Sequence, residues 1–264
     1  MRRNTVFTIL LVVFLAIFLF SAYNIITTLG DYGQGESAYS QLQQFVDVVP
    51  TPPVTVPAAT DPADPAAPTA PAEPEKAPIV YPDVDFDALH EINPNIVAWI
   101  YIEGTKISYP VVLGTDNQYY VKHMIDGKVN KAGSIFMDYR NNADFLDKHT
   151  ILYGHNMKND TMFADITNYR DQEYYDAHPI GLIMTPDGNF YFEIIAAHVA
   201  SVSSSAWELN FDSDAEALQW ARKAMDKSGF VSRYSPTESD VYITLSTCSY
   251  EFNNARFVLT GVLK

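Results

Sequence analysis

The sequence predicts a mainly β domain, best described as a single β-barrel, that follows an N-terminal membrane helix and a proline-rich stalk. From about Tyr81, short runs of β-branched and aromatic residues bounded by turn residues dominate the chain. Helical patterns are fewer and do not alternate with these runs, which favours a barrel over an alternating α/β sheet. The runs that predict strands are KISYPVV, GSIFMD, HTILYGH, IGLIMT, NFYFEIIAAHVA, DVYITLSTC and RFVLTGVL. Between the fourth and fifth runs, TPDGNF predicts a hairpin turn.

Length and composition limit the classes of protein to which the chain can belong. Its 264 residues suffice for one sizeable domain with appendages or for two small domains. A single Cys excludes an intrachain disulfide and leaves too few thiols for a Cys-based zinc or iron–sulfur site. The net charge of −15 argues against a nucleic-acid partner. Neither a metal nor a cofactor is expected.

Residues 5–29 are predicted to be a transmembrane signal anchor. Residues 6–20 contain one polar side chain, Thr8, and the apolar run continues to residue 29. About 25 residues at ~1.5 Å each can cross a hydrocarbon core of ~30 Å. A cleaved signal peptide is the alternative, but it has a shorter apolar region that ends in small residues.

The basic residues predict the orientation of this anchor. Arg2 and Arg3 precede the span, and no Lys or Arg occurs again before Lys76. The positive-inside rule therefore puts residues 1–4 in the cytoplasm and everything after the span outside. We expect a single-pass protein of the cell membrane whose folded domain is extracellular.

Residues 30–78 are predicted to be an extracellular linker, and residues 79–264 the folded domain. The linker is rich in Pro and Ala from residue 50, and residues 50–78 hold ten of the sixteen prolines. Such a segment samples polyproline II at ~3.1 Å per residue, which gives a stalk of up to ~90 Å. The segment before it, residues 30–49, predicts a short helix.

Three helical patterns lie within the folded domain. DALHEINPNIVAWI (87–100) opens it, NDTMFADITNYR (159–170) lies near its middle, and SDAEALQWARKAMDKS (213–228) precedes the last two strand runs. The third pattern begins with a capping residue, Ser213 or Asp214.

Cys248 and Arg256 occupy positions suited to chemistry. Cys248 ends a strand run and precedes a turn-prone segment, where a rigid element can present a reactive atom. Arg256 lies eight residues later, so a hairpin over the loop 249–255 would put the two residues at its feet. A guanidinium there favours a thiolate and can donate to an oxyanion. The alternatives are a Cys buried in the core and a strand-start Arg in solvent.

His155 is the histidine whose position best suits a general acid. It follows the strand run ILY and Gly154, so its setting resembles that of Cys248. His198 lies inside a strand pattern and suits a structural role. The remaining four are interpreted as helix or turn positions: His90, His123, His149 and His178.

Two motifs then carry a resemblance to a known family. TLSTC (244–248), with Arg256 after it, and YGHNM (153–157) resemble the signature of the sortases, membrane-anchored cysteine transpeptidases of Gram-positive bacteria. The similarity runs through WIYIEGTKISYPVV, DNQYYVKH, GSIFMDYRNN and MFADITNY, which look like class B sortases. The helical insertion at 213–228 also fits that class.

The resemblance implies a closed eight-stranded barrel with His155, Cys248 and Arg256 as the catalytic residues. In that family, the Cys attacks a C-terminal sorting signal of a secreted protein, and a cell-wall peptidoglycan amine resolves the thioacyl-enzyme. The backbone N–H of Ser249 is expected to assist Arg256 at the oxyanion. Ser246 and Thr247 are predicted to contact the peptide. No Asp that would orient the imidazole is evident, so a full triad is not predicted.

Other interpretations remain open at this point. The chain could be another extracellular thiol peptidase or a wall amidase, although those place the nucleophile early, at a helix N-terminus. It could also be a stalked binding module without catalysis, which has no need for these three side chains together. The segment DYRNNADFLD (138–147) is rich in oxygen ligands but lacks EF-hand spacing, so we expect a polar loop.

Overall fold

The computed structural model describes residues 2–47 and 79–264. Its helices are α1 (Arg2–Leu42), α2 (Phe86–Ile92), α3 (Gln172–Ala177) and α4 (Asp214–Met225). Its strands are β1 (Val46–Asp47), β2 (Asp83–Val84), β3 (Ile96–Tyr101), β4 (Ser108–Leu113), β5 (Ile135–Met137), β6 (His149–Tyr153), β7 (Ile180–Thr185), β8 (Gly188–Ser201), β9 (Val241–Cys248) and β10 (Ala255–Leu263). Short 3-10 helices cover Gln43–Phe45, Tyr119–Val121, Ala164–Arg170 and Ser205–Trp207. The predicted proline-rich stalk at 50–78 lies outside the described residues.

Eight strands close into a barrel in the order β10-β8-β7-β3-β4-β5-β6-β9, which confirms the predicted fold class. Six neighbouring pairs are antiparallel, whereas β4 with β5 and β6 with β9 are parallel. The parallel pairs require long connections. The one from β4 to β5 carries the 3-10 helix Tyr119–Val121, and the one from β6 to β9 carries α3, β7, β8 and α4. Each barrel strand contributes a buried residue to one core cluster, namely Trp99, Val112, Ile135, Leu152, Ile183, Ile194, Ile243 and Leu259.

The first predicted helix is wrong in its second half. α2 ends at Ile92, and residues 96–101 form β3 instead of continuing the helix. Asn93 has extended backbone angles, φ −152° and ψ 112°. The ring of Pro94 disfavours helical angles at the residue before it, so the chain leaves the helix there.

The two later helical patterns are represented by different kinds of helix. Ser213 caps α4 as predicted, because its hydroxyl accepts a hydrogen bond from the Glu216 N–H at 3.2 Å. The buried face of α4 carries Ala217, Trp220, Ala221 and Ala224. The middle pattern forms a 3-10 helix at Ala164–Arg170, and α3 directly after it was not predicted from the sequence.

The first part of α1 has the properties of a membrane span. It is the one helix among residues 2–47 and 79–264 that is long and apolar enough to cross a membrane, judged by length and composition. Its apolar side chains from Val6 to Leu29 are exposed to the surroundings of the protein. This finding makes the first part of α1 a candidate membrane span, and the signal anchor at 5–29 stays a prediction.

The later part of α1 packs against the barrel, a contact that was not predicted from the sequence. Tyr39, Leu42 and Val46 are buried in the main core cluster. The Tyr39 hydroxyl donates to the Gly133 carbonyl at 2.5 Å, and β1 pairs with β2. The division of the chain at residue 79 stays a prediction, but the beginning of the linker contributes to the same core as the barrel.

Candidate active site

One open cleft of about 410 Å³ contains the three side chains predicted to be catalytic. It lies where β6 and β9 end and β10 begins. His155, Cys248 and Arg256 line it, together with Tyr153 and Trp207. The aromatic rings of Tyr153 and Trp207 are stacked with their centroids 6.1 Å apart and give the cleft an apolar wall. The structure thus brings together residues that are about a hundred positions apart in the sequence.

Cys248 and Arg256 face each other across the last two strands. They are partners in the antiparallel register of β9 and β10. The Ser249 N–H donates to the Ala255 carbonyl at 3.1 Å, so the pair occupies a non-hydrogen-bonded position. At such positions the Cα atoms are ~4.5 Å apart and the side chains are at their closest. The predicted hairpin therefore places the half-buried Cys248 and Arg256 directly opposite each other in the ladder.

The Arg256 guanidinium is held by its own strand and keeps its charge available. Its Nη1 donates to the Ala255 carbonyl at 2.9 Å. No carboxylate forms an ion pair with it within the described parts of the chain, residues 2–47 and 79–264. A forked cation that no anion neutralises can donate to a negative oxygen formed in the cleft.

The position and tautomer of His155 follow from one hydrogen bond. Its Nε2 lies 2.7 Å from the Val121 carbonyl oxygen. A carbonyl can only accept, so Nε2 carries the proton and Nδ1 is the nitrogen left for proton exchange. Gly154 precedes the imidazole at a site without room for a side chain, since a Cβ there would lie 2.4 Å from Ile135 Cδ1.

The structure does not offer the Ser249 N–H to an oxyanion. That N–H is already bonded to the Ala255 carbonyl, which corrects the role predicted for it. The Ser249 hydroxyl donates to the carboxylate of Glu251, which also accepts from Arg170 Nη2 at 2.5 Å. These bonds tie the loop after Cys248 to the end of the 3-10 helix Ala164–Arg170.

Ser246 and Thr247 are consecutive residues of β9 whose side chains have different surroundings. Ser246 lies two residues before Cys248 on β9, lines the cleft and is nearly buried. Thr247 is also nearly buried, and its hydroxyl donates to the Gly154 carbonyl at 2.8 Å. This bond ties Thr247 to the segment that carries His155, and Thr247 also lines the cleft, so the contact of Ser246 and Thr247 with a peptide stays a prediction.

A buried carboxylate supports the cleft wall and was missed by sequence reasoning. Asp138 is fully buried and accepts hydrogen bonds from the Tyr153 hydroxyl at 2.9 Å and the Asn117 amide at 3.0 Å. Arg140 forms an ion pair with it at 2.8 Å. Burial alone would raise the pKa of this carboxyl, but the three donors outweigh that effect and hold the pKa below its ordinary value.

The rest of the segment 138–147 forms a loop that hydrogen bonds to Asp147 hold together. Asp147 accepts from the side chains of Asn141 and Asn142 at 2.8 and 2.7 Å. Across residues 2–47 and 79–264, no group of three or more His, Cys, Asp or Glu side chains is arranged to hold a metal ion.

Two further histidines lie away from the cleft, one fully buried and one half-buried. His149 was interpreted as a helix or turn position, but it begins β6 and is fully buried. Its Nδ1 donates to the Glu208 carbonyl at 2.5 Å, and its Nε2 lies 2.8 Å from the Thr244 hydroxyl. His198 lies inside β8, as its pattern predicted. Burial lowers the pKa of both imidazoles to about 4.

A thiol, an imidazole and a guanidinium in one cleft of a closed barrel define a cysteine-dependent enzyme of acyl transfer. The profile of the sortase family, described as "Sortase domain", matches residues 100–264. The chain therefore belongs to the sortase family, and its relatives place it in class B. As a member, it is a cysteine transpeptidase.

Three relatives carry the class assignment. Sortase B of Listeria monocytogenes is 37% identical over 177 residues, which are 66% of this chain and 72% of that protein. A solved sortase B from B. anthracis matches with a TM-score of 0.69 at 29% identity. The match covers 89% of this chain and 98% of the solved chain. A sortase B complexed with triglycine has a TM-score of 0.64 at 31% identity and covers 68% of this chain and 85% of its own.

Proposed function

We propose that this sortase cleaves the C-terminal sorting signal of secreted proteins at Cys248 and transfers them to an amine of cell-wall peptidoglycan. The observation that carries the proposal is the register pair of Cys248 and Arg256 in the same cleft as His155. The Cys248 thiolate would add to the carbonyl carbon of a Thr–X bond. Collapse of the tetrahedral intermediate would break the C–N bond and leave a thioacyl-enzyme.

His155 would move the protons in both halves of the reaction. Its Nδ1 would take the proton of the Cys248 thiol, donate that proton to the departing amine, and then take one from the incoming amine. The bond from Nε2 to the Val121 carbonyl supports this assignment, because it leaves Nδ1 free and fixes the plane of the ring.

Arg256 would stabilise the oxyanion of each tetrahedral intermediate. Its position opposite Cys248 in the ladder supports this role, and so does the lack of a carboxylate partner among the described residues. We assign no share to the Ser249 N–H, which is occupied. The proposal needs no metal and no cofactor.

The accepting amine and the location rest on separate observations. A related sortase B is complexed with triglycine, a peptide with a free amine, which supports a glycine-like acceptor for this chain. We also propose that α1 anchors the chain with residues 1–4 in the cytoplasm and the barrel outside. Arg2 and Arg3 before the apolar run support this orientation.

A peptide library tests the proposed function. The full chain in detergent micelles is mixed with a library of sorting-type pentapeptides, with and without triglycine. We expect cleavage of a small set of sequences, and with triglycine a new product that carries the amine. Cys248→Ala should give neither. Hydrolysis that triglycine never diverts would instead support a thiol peptidase, and wild-type peptide binding without any cleavage would support a binding module.

A further inference from the structure

The segments that carry His155 and Cys248 are joined by side chains at the point where their strands separate. β6 and β9 run parallel, and their register ends at Tyr153 opposite Ser246. One further backbone bond follows, from the Gly154 N–H to the Ser246 carbonyl at 3.0 Å. His155 and Cys248 both lie beyond this last ladder bond.

Two side chains continue the connection beyond the ladder. The Thr247 hydroxyl donates to the Gly154 carbonyl at 2.8 Å. The Asn156 amide Nδ2 donates to the Cys248 carbonyl at 3.0 Å. The bonds run in opposite directions between the segments, so His155 is flanked on both sides by residues tied to Cys248 or its neighbour.

From this arrangement we infer that Asn156 and Thr247 are positioning residues that hold the imidazole of His155 beside the thiol of Cys248. The inference rests on the proposed roles of His155 and Cys248. Neither side chain needs to touch the reacting atoms. Both act on backbone groups next to the catalytic residues, where a displacement of ~1 Å can cost on the order of 10²-fold in rate.

Asn156→Ala and Thr247→Val each remove one of the two bonds, and Thr247→Ser keeps the hydroxyl. Using the full chain in detergent, we expect the two disruptive variants to lower kcat by on the order of 10-fold to 10²-fold with little change in KM. Thr247→Ser should restore most of the loss. Asn159→Ala is the matched control, since Asn159 lies in the same loop and its side chain accepts a hydrogen bond from the Thr161 hydroxyl.

A second readout uses no peptide, so it separates this inference from the proposed function. The rate of alkylation of Cys248 by iodoacetamide is measured against pH in the wild type, His155→Ala and Asn156→Ala. A nearby imidazole changes the thiolate population of its partner. We expect the profile of Asn156→Ala to match that of His155→Ala, and the melting temperature of Asn156→Ala to stay near that of Asn159→Ala.

Either of two results would overturn the inference. The first is a wild-type alkylation profile in Asn156→Ala, which would show that the amide does not hold the pair. The second is an equal fall in kcat for Asn156→Ala and Asn159→Ala, which would show a general effect of the loop. A library in which the wild type cleaves nothing would count against the proposed function, and the alkylation profiles would still decide this inference.

Discussion

Cys248 and Arg256 lie on two strands that pair over eight residues, whereas His155 lies in a loop that leaves the barrel wall after Tyr153. The strand pair is fixed by a ladder of backbone bonds, which few side-chain substitutions can disturb. The loop is held by a carbonyl, by Asn156 and by Thr247. Substitutions outside the catalytic residues should therefore affect proton transfer more than the nucleophile and its cation.

The loop has a second support that leads back to α1. The Met162 N–H donates to the Tyr109 hydroxyl at 2.9 Å, and Met162 bridges Asn156. The ring of Tyr109 packs edge-on against Tyr39 of α1, with the centroids 5.5 Å apart. The helix that begins in the predicted membrane span thus contacts the residue that supports the histidine loop.

The largest effect within this comparison is expected from His155→Ala. Losing proton transfer at both amines should lower kcat/KM by at least ~10²–10⁴-fold. Cys248 should still be alkylated, because the strand pair that carries it is untouched. Steady-state transfer to triglycine measures the loss of proton transfer. The rate of alkylation measures separately whether the strand pair still presents Cys248. Loss of alkylation altogether would mean that the loop and the strand pair are not independent.

Arg256→Lys tests the strand pair. Lysine keeps the charge but loses the planar, forked donors, so we expect a fall on the order of 10²-fold in kcat. The matched control is Arg170→Lys, since Arg170 binds the carboxylate of Glu251 in the loop after Cys248. Near wild-type kcat/KM in Arg256→Lys would mean that Arg256 only begins a strand.

Acid should weaken the barrel wall beneath the strand pair through His149. Its pKa of about 4 in the folded protein lies below the ordinary ~6.5, so the unfolded chain binds the proton first. Stability is full above ~6.5 and is lost as the pH falls towards 4, by up to ~3 kcal/mol. Urea unfolding of the wild type and His149→Asn from pH 7.5 to 4 measures the difference. Parallel curves for the two proteins would contradict the assignment.

Of these changes, Tyr109→Phe should have the smallest effect. It tests whether the Tyr109 hydroxyl supports the loop that carries His155. The variant leaves the Met162 N–H without its acceptor, which costs ~1–3 kcal/mol for a buried group. We expect faster hydrogen exchange at residues 156–162 and unchanged exchange in β9 and β10. Faster exchange throughout the barrel would show that the hydroxyl supports the whole fold and not the loop.

Local sequence patterns predicted the pairing of β9 with β10 but not the contacts of these strands with distant segments of the chain. The spacing of Cys248 and Arg256 predicted that the two residues lie opposite each other in a hairpin. The motif TPDGNF predicted the turn between β7 and β8, where the Gly188 N–H donates to the Thr185 hydroxyl at 3.1 Å. The error over residues 96–100 has a local cause, since Asn93 and Pro94 end the helix. That signal is local and is present in the sequence itself.

The remaining features depend on contacts between distant segments. The bond from Asn156 to Cys248 spans 92 positions, and the bond from Tyr39 to Gly133 spans 94. No periodicity within either segment specifies such a partner, because the parallel pairing of β6 with β9 and the packing of α1 arise only in the folded chain. The occupied N–H of Ser249 likewise became visible only with the hairpin geometry.

The most direct test of the proposed chemistry is the intact mass of the full chain after mixing with a peptide selected from the library, without amine. We predict a mass increase equal to the peptide fragment that ends at Thr less one water, located on Cys248 and lost when triglycine is added. Cys248→Ala should stay unmodified and form no product. Cleavage by Cys248→Ala, or an adduct on any residue other than Cys248, would contradict the account.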